Sequence, residues 1–147
     1  CCELGVITTS KNDQHKAALR EYGEKLGVAF QIKDDLFDIL GSSREMGKDT
    51  NSDVTKNMIT LPIIHTLSSS ITISERRHIK KTLSGGEKRR DLIKLTNIVS
   101  DYGGFDYAQL KLKEISDDAI AALDIFPDSK YKRSMIDLCL YNIKRAN

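Results

Sequence analysis

Three carboxylates, Asp34, Asp35 and Asp38, stand inside an otherwise apolar helical run from Val28 to Leu40, and no other feature restricts the folding of this chain as much. A helix advances about 100° per residue, so Asp34 and Asp38 share a face with Gly23, Gly27 and Gln31 one and more turns earlier. That stripe is small, polar and acidic. Carboxylates buried beside apolar residues cost several kcal/mol per ion unless they are paired, protonated or bound to metal. The segment therefore asks for a hard divalent cation or a basic partner. Carboxylate oxygens favour Mg²⁺, and Mg²⁺ held by a few carboxylates usually shares its coordination with substrate phosphates.

The rest of the chain also has the helical period. Ala18, Leu19, Tyr22, Leu26, Ala29 and Phe30 place one long helix from about Gln14 to Leu40, ended by Gly41-Ser42-Ser43. A polar, non-periodic stretch runs to Asn57, and Thr60-Leu61-Pro62 then opens a short helix, Ile63 to Leu67, with Pro in its first turn. Ser74 before Glu75 is read as the cap of a helix reaching about Leu83, where Gly85-Gly86 breaks it. Further helices are predicted over 89–102, 105–123 and 131–145, the last with Met135, Ile136, Leu138, Cys139 and Ile143 on its apolar positions. No run alternates as a strand, so the predicted class is all-α, without internal repeat or low-complexity segment.

Composition excludes several partner classes. The 147 residues carry a formal net charge of +2 with basic and acidic residues interspersed, and five Tyr, four Phe and no Trp form no stacking platform, which argues against nucleic acid. The runs Arg76-Arg77, Lys80-Lys81 and Lys88-Arg89-Arg90 read as solvated helix faces. No stretch reaches the ~18 apolar residues of a membrane span, so a cytoplasmic protein is expected. Cys1, Cys2 and Cys139 are an odd set without CxxC spacing, which argues against a disulfide framework or a zinc site. His15, His65 and His78 show no ligand spacing and read as ordinary imidazoles. Cys1 to Ile7 lacks an initiator Met and a polar cap, so the chain is expected to start inside an element, as a C-terminal piece of something longer.

An Asp-Asp-x-x-Asp pattern alone is usually a solvated face. Here apolar residues flank it on both sides, and the following stretch holds Gly47-Lys48 with Asp49 and Asp53 downstream. A lysine folding back over a carboxylate cluster would supply a mobile charge for the terminal oxygens of a Mg²⁺-bridged diphosphate. A phosphate-loop NTPase is excluded. Five residues separate Gly41 from Gly47, Asp49 stands where Ser or Thr would hold the metal, and a helix precedes the loop.

Taken together, Gly23-x-x-x-Gly27-x-Ala29-Phe30-Gln31-Ile32-x-Asp34-Asp35-x-x-Asp38, then Gly47-Lys48, Asp53 and Thr60-Leu61-Pro62, resembles the C-terminal half of the trans-prenyltransferases, the polyprenyl diphosphate synthase family. The resemblance is tight over residues 20–67, and the later helices agree in type and order with the all-α isoprenoid synthase fold. It implies that residues 1–147 are the C-terminal half of a single synthase domain. It also implies that Asp34, Asp35 and Asp38 are the second aspartate-rich motif and hold Mg²⁺, with Asp34 the most direct ligand and Asp53 in an outer shell. Phe30 and Gln31 match the pair lining the condensation site, and Lys48 matches a lysine gripping the allylic diphosphate. Lys144 and Arg145 resemble a basic tail near the homoallylic diphosphate; the alternative is a helix C-terminus where the dipole favours cations.

The implied reaction is condensation of an allylic diphosphate with isopentenyl diphosphate by a homodimer. The first aspartate-rich motif, its arginine pair and the residues that set product length are absent from this sequence, so this chain alone is expected to be inactive. Met58 stands where many relatives have a lysine, and Lys56 is the nearest substitute. A terpene cyclase shares the fold, but Ser42 stands where its second motif would place a Glu. The competing reading from another class is a non-catalytic helical subunit of a heteromeric synthase, against which the intact acidic triad argues.

Overall fold

In the computed structural model the described residues are 1–44, 59–84 and 89–145, and among them the chain is all-α, without a strand. The helices are α1 (Cys2–Ile7), α2 (Asp13–Arg44), α3 (Leu61–Ser68), α4 (Ile73–Leu83), α5 (Arg89–Asp101), α6 (Gly104–Ala121) and α7 (Lys130–Lys144). They fall into two compact units, one of Cys1–Lys33 with Leu110–Ala146 and one built on Asp34–Gln109, so α2 and α6 each contribute to both.

In the first unit Tyr22, Ala119, Leu123 and Cys139 form the buried centre, with Cys2, Leu19, Leu26, Met135 and Ile136 packed against it. The Tyr22 hydroxyl donates to the Met135 carbonyl at 2.9 Å, which satisfies the polar tip of a buried ring. The two glycines of the small-residue stripe differ in purpose. A Cβ at Gly23 would meet Cys2 Sγ at 3.2 Å, so this glycine admits α1, whereas Gly27 has open space around it. All three cysteines are free thiols, with Cys139 in the core. Ser129 caps α7 by accepting from the Lys132 amide at 3.1 Å.

In the second unit Ile63, Ile79, Leu95, Ile98 and Val99 form the core. The cap of α4 is Thr72, not Ser74. The Thr72 hydroxyl accepts from the Glu75 amide at 3.2 Å and the Glu75 carboxylate accepts from the Thr72 amide at 2.8 Å. Such a reciprocal pair needs the cap three residues before the acid, and Ser74 is one residue before it. Gly103, at φ +68°, ends α5, and α6 begins at Gly104 so close to α3 that a Cβ there would lie 2.6 Å from the Pro62 carbonyl oxygen.

Helix α2 also runs through Gly41-Ser42-Ser43 to Arg44, past its predicted end. Extending a helix already formed gains one hydrogen bond per residue, which outweighs the ~1 kcal/mol propensity penalty of a glycine. The histidines pack as ordinary side chains: His65 stacks on Tyr107 with centroids 4.1 Å apart, His15 tilts against Phe126 at 4.9 Å, and His78 Nε2 lies 3.2 Å from the Asp91 carbonyl oxygen. Among the described residues no helix is long and apolar enough to cross a membrane.

Candidate functional site

The acidic triad belongs to the second unit, and its exposure alters the premise of a buried charge cluster. Asp34 and Asp35 are half-buried and Asp38 is exposed, while the burial falls on Ile32 and Leu36, which are 7% and 3% exposed. Helical rotation separates the two sets, because the acids recur at one turn and the apolar residues occupy the opposite side.

Asp35 differs from its neighbours. Its carboxylate accepts from the backbone amide of Leu61, the first residue of α3, where the helix dipole favours an anion. Burial, reinforced by the negative charges of Asp38 and Asp34, nonetheless holds its carboxyl above the usual aspartate range. Asp34 and Asp38 are left as the pair one turn apart. Among the described residues no three Asp, Glu, His or Cys side chains converge where an ion could sit. Acids at i, i+1 and i+4 of one helix diverge by rotation, so a cation at Asp34 and Asp38 must take its remaining ligands from outside this set. Two all-oxygen donors fit a hard divalent cation that completes its shell with water and a phosphate-bearing substrate.

Phe30, Gln31 and Arg145 belong to the first unit. Phe30 is 44% exposed although it falls on the apolar period of α2, and Gln31 is exposed. The Phe30 ring carries the Arg145 guanidinium 4.3 Å from its centroid, and Arg145 Nη2 donates to the Phe30 carbonyl at 3.4 Å. The structure thus brings together two of the predicted residues from opposite ends of the chain. Arg145 is also the C-cap of α7, its amide donating to the Tyr141 carbonyl at 2.8 Å.

Sequence reasoning missed two residues beside Arg145. Lys33 Nζ donates to the Ile143 carbonyl at 2.9 Å near the C-terminal end of α7, and burial, with Arg145 next in effect, holds its ammonium below the usual lysine range. Asn142 is 2% exposed, and neither its amide nitrogen nor its amide oxygen finds a partner among the described residues. The available signal was an amide one residue before Ile143, where the apolar pattern of α7 offers no place for it. Lys48, Gly47, Asp49 and Asp53 lie outside the described residues.

The all-α arrangement of these helices is that of the isoprenoid synthases. A family model described as polyprenyl synthetase matches residues 1–99, and the chain belongs to that family. It is 28% identical over 143 residues to the octaprenyl diphosphate synthase of Haemophilus influenzae, covering 97% of this chain and 43% of that enzyme. Among solved structures, geranylgeranyl pyrophosphate synthase from Bacteroides thetaiotaomicron is 27% identical with a TM-score of 0.84, covering 99% of this chain and 48% of that one. The Corynebacterium glutamicum geranylgeranyl pyrophosphate synthase, solved complexed with calcium and isoprenyl diphosphate, is 26% identical with a TM-score of 0.78 over 97% of this chain and 44% of that one. The chain spans less than half the length of the curated relatives it matches.

Proposed function

We propose that residues 1–147 form the C-terminal half of a trans-polyprenyl diphosphate synthase domain that condenses an allylic diphosphate with isopentenyl diphosphate. The observation that carries this reading is the Asp34 and Asp38 pair one turn apart on α2 in a chain of the polyprenyl synthetase family. The calcium and isoprenyl diphosphate bound by the Corynebacterium glutamicum relative support a divalent cation and a diphosphate as ligands. Mg²⁺ is the assigned ion, by the preference of hard oxygen donors that must share the ion with phosphate.

In this mechanism Asp34 and Asp38 would hold the cation through their carboxylate oxygens, and Asp35 keeps α3 beside them through the Leu61 amide. A cation held there would supply positive charge against the charge that develops on the departing diphosphate. Lys48 adds a point charge for terminal phosphate oxygens. Phe30 and Gln31 line the condensation site, where the isopentenyl double bond attacks the allylic cation and a proton is lost to the released diphosphate. Arg145 takes part in binding the second diphosphate. The active assembly is assigned as a homodimer in the cytoplasm.

The test is incubation of the protein that carries this chain with Mg²⁺, isopentenyl diphosphate and an allylic diphosphate, followed by sizing of the products. Elongated prenyl diphosphates are expected, and Asp34→Asn should lower turnover by about 10²–10³-fold at an unchanged melting temperature. Absence of elongation, or elongation only on mixing with a second polypeptide, overturns the reading in favour of a non-catalytic subunit.

A further inference from the structure

Helix α4 turns one side inward and leaves the other with an unbalanced charge. Ile79 and Thr82 are buried, while on the opposite side Ile73, Arg76, Arg77, Lys80 and Lys81 are all exposed. These five stand at i, i+3, i+4, i+7 and i+8, the spacing of one helical face, and they hold four cations, one isoleucine and no acid. The single acid of α4, Glu75, points away from that face by helical rotation. Its carboxylate accepts from the Thr72 amide at 2.8 Å and from the Thr72 and Tyr102 hydroxyls at 2.7 and 3.0 Å. Helix α4 thus carries +3 in a chain whose formal net charge is +2, so the remainder of the chain sums to −1.

Helices α2 and α6 balance their exposed cations with acids a turn away: Arg20 pairs with Glu24 at 2.9 Å, and Lys111 with Glu114 and Lys113 with Asp117 at 2.6 Å. Among the described residues none of the four α4 cations makes an ion pair. Arg76 with Lys80 and Arg77 with Lys81 are instead like charges four residues apart, which costs helix stability. The dipole of α4 offsets this for Lys80 and Lys81 in the last turn and offers nothing to Arg76 and Arg77 nearer the N-terminus.

We propose that this face of α4 docks the protein on an anionic lipid bilayer. Charge complementarity sets the sign of the partner, since a polyanionic surface relieves the repulsion among four unpaired cations. Shape and Ile73 select a bilayer. From Ile73 to Lys81 the face is a convex strip about 12 Å long, which suits a flat array of headgroups. Ile73 is 73% exposed with no other apolar residue on that face, and the boundary between headgroups and acyl chains accommodates it. An acidic protein segment would satisfy the cations and leave Ile73 in water. Arg and Lys stems lie along such a boundary with their charged heads at the phosphates, and the small attractions of several cations add. Docking would release a lipid product at a membrane; that consequence rests on the proposed synthase function, and the docking face does not.

The experiment is co-sedimentation of the protein that carries this chain with vesicles of phosphatidylcholine containing phosphatidylglycerol, and with vesicles of phosphatidylcholine alone. Binding is expected to the anionic vesicles only and should fall as salt is raised. Arg76→Gln combined with Arg77→Gln should weaken it about 25-fold, roughly fivefold for each cation removed, at a melting temperature that stays level or rises. Lys80→Gln with Lys81→Gln serves as the reading should that variant not fold. Lys111→Gln with Lys113→Gln removes the same charge from α6 and should leave binding unchanged, while Ile73→Ser should weaken binding without altering its salt dependence. No binding to anionic vesicles, equal binding to neutral ones, or an equal loss in the α4 and α6 variants overturns the proposal. Retention on immobilised polyglutamate without vesicle binding overturns it in favour of an acidic protein partner. Failure of elongation with Mg²⁺ while vesicle binding persists would instead sink the synthase reading and leave the docking face standing.

Discussion

At the scale of single residues, Asp35 and Phe30 show how position on one helix separates chemical roles. Asp35 gives one hydrogen-bond acceptor to the first amide of α3 yet is held above the ordinary aspartate value of 3.8 by burial and by Asp38 and Asp34. Between that value and its raised one the native state binds more protons than the unfolded chain, so its contribution to stability is complete below 3.8 and is lost as pH rises through the raised value. Asn in its place keeps a carbonyl for Leu61 and cannot ionise. Asp35→Asn should therefore raise the melting temperature at neutral pH in EDTA and flatten the acid limb of the stability profile. A lower melting temperature at pH 7 would show that the charge on Asp35 is a net benefit to the fold. Phe30 shows the opposite separation, since the helical period marks it as core and the structure leaves it at the surface under a guanidinium.

At the scale of elements, the boundaries of the helices were legible wherever local chemistry decides them. Pro62 in the first turn of α3, the glycines at 103 and 104, and Ser129 before α7 all mark ends that the structure places within a residue or two of the prediction. The cap of α4 was misplaced by two residues because two hydroxyls precede Glu75 and only the reciprocal geometry chooses between them. Thr72→Ala should cost about 1 kcal/mol in urea unfolding, and Ser74→Ala should be close to neutral; the reverse ranking would restore Ser74 as the cap. Gly104 is set by contact. An alanine there would press on the Pro62 backbone and the Thr66 hydroxyl, at 2.6 and 2.8 Å, and neither backbone nor a hydroxyl bonded to the Pro62 carbonyl gives way easily. Gly104→Ala should lower stability by about 1–3 kcal/mol, and a neutral result would mean that α6 can slide.

At the scale of the whole molecule, each unit has a buried centre of its own. Ile79 in one and Leu123 in the other are 0% and 1% exposed, so Ile79→Ala and Leu123→Ala should each destabilise by about 2–5 kcal/mol in denaturant titration. A loss well under 1 kcal/mol would show that the core concerned collapses around the missing atoms. What the sequence by itself determined is everything governed by spacing along the chain: seven helical segments among the described residues, the i, i+1, i+4 acids on one of them, and through that ordered pattern the polyprenyl synthetase family. Helical rotation is a local rule, so it can be read one turn at a time. Only the tertiary structure decided that Phe30 meets Arg145, that Asp35 faces the Leu61 amide, that Gly104 is pressed by Pro62, and that Asn142 is buried. Those pairings join positions with no fixed spacing between them, and the close packing of helix against helix is what brings them into contact.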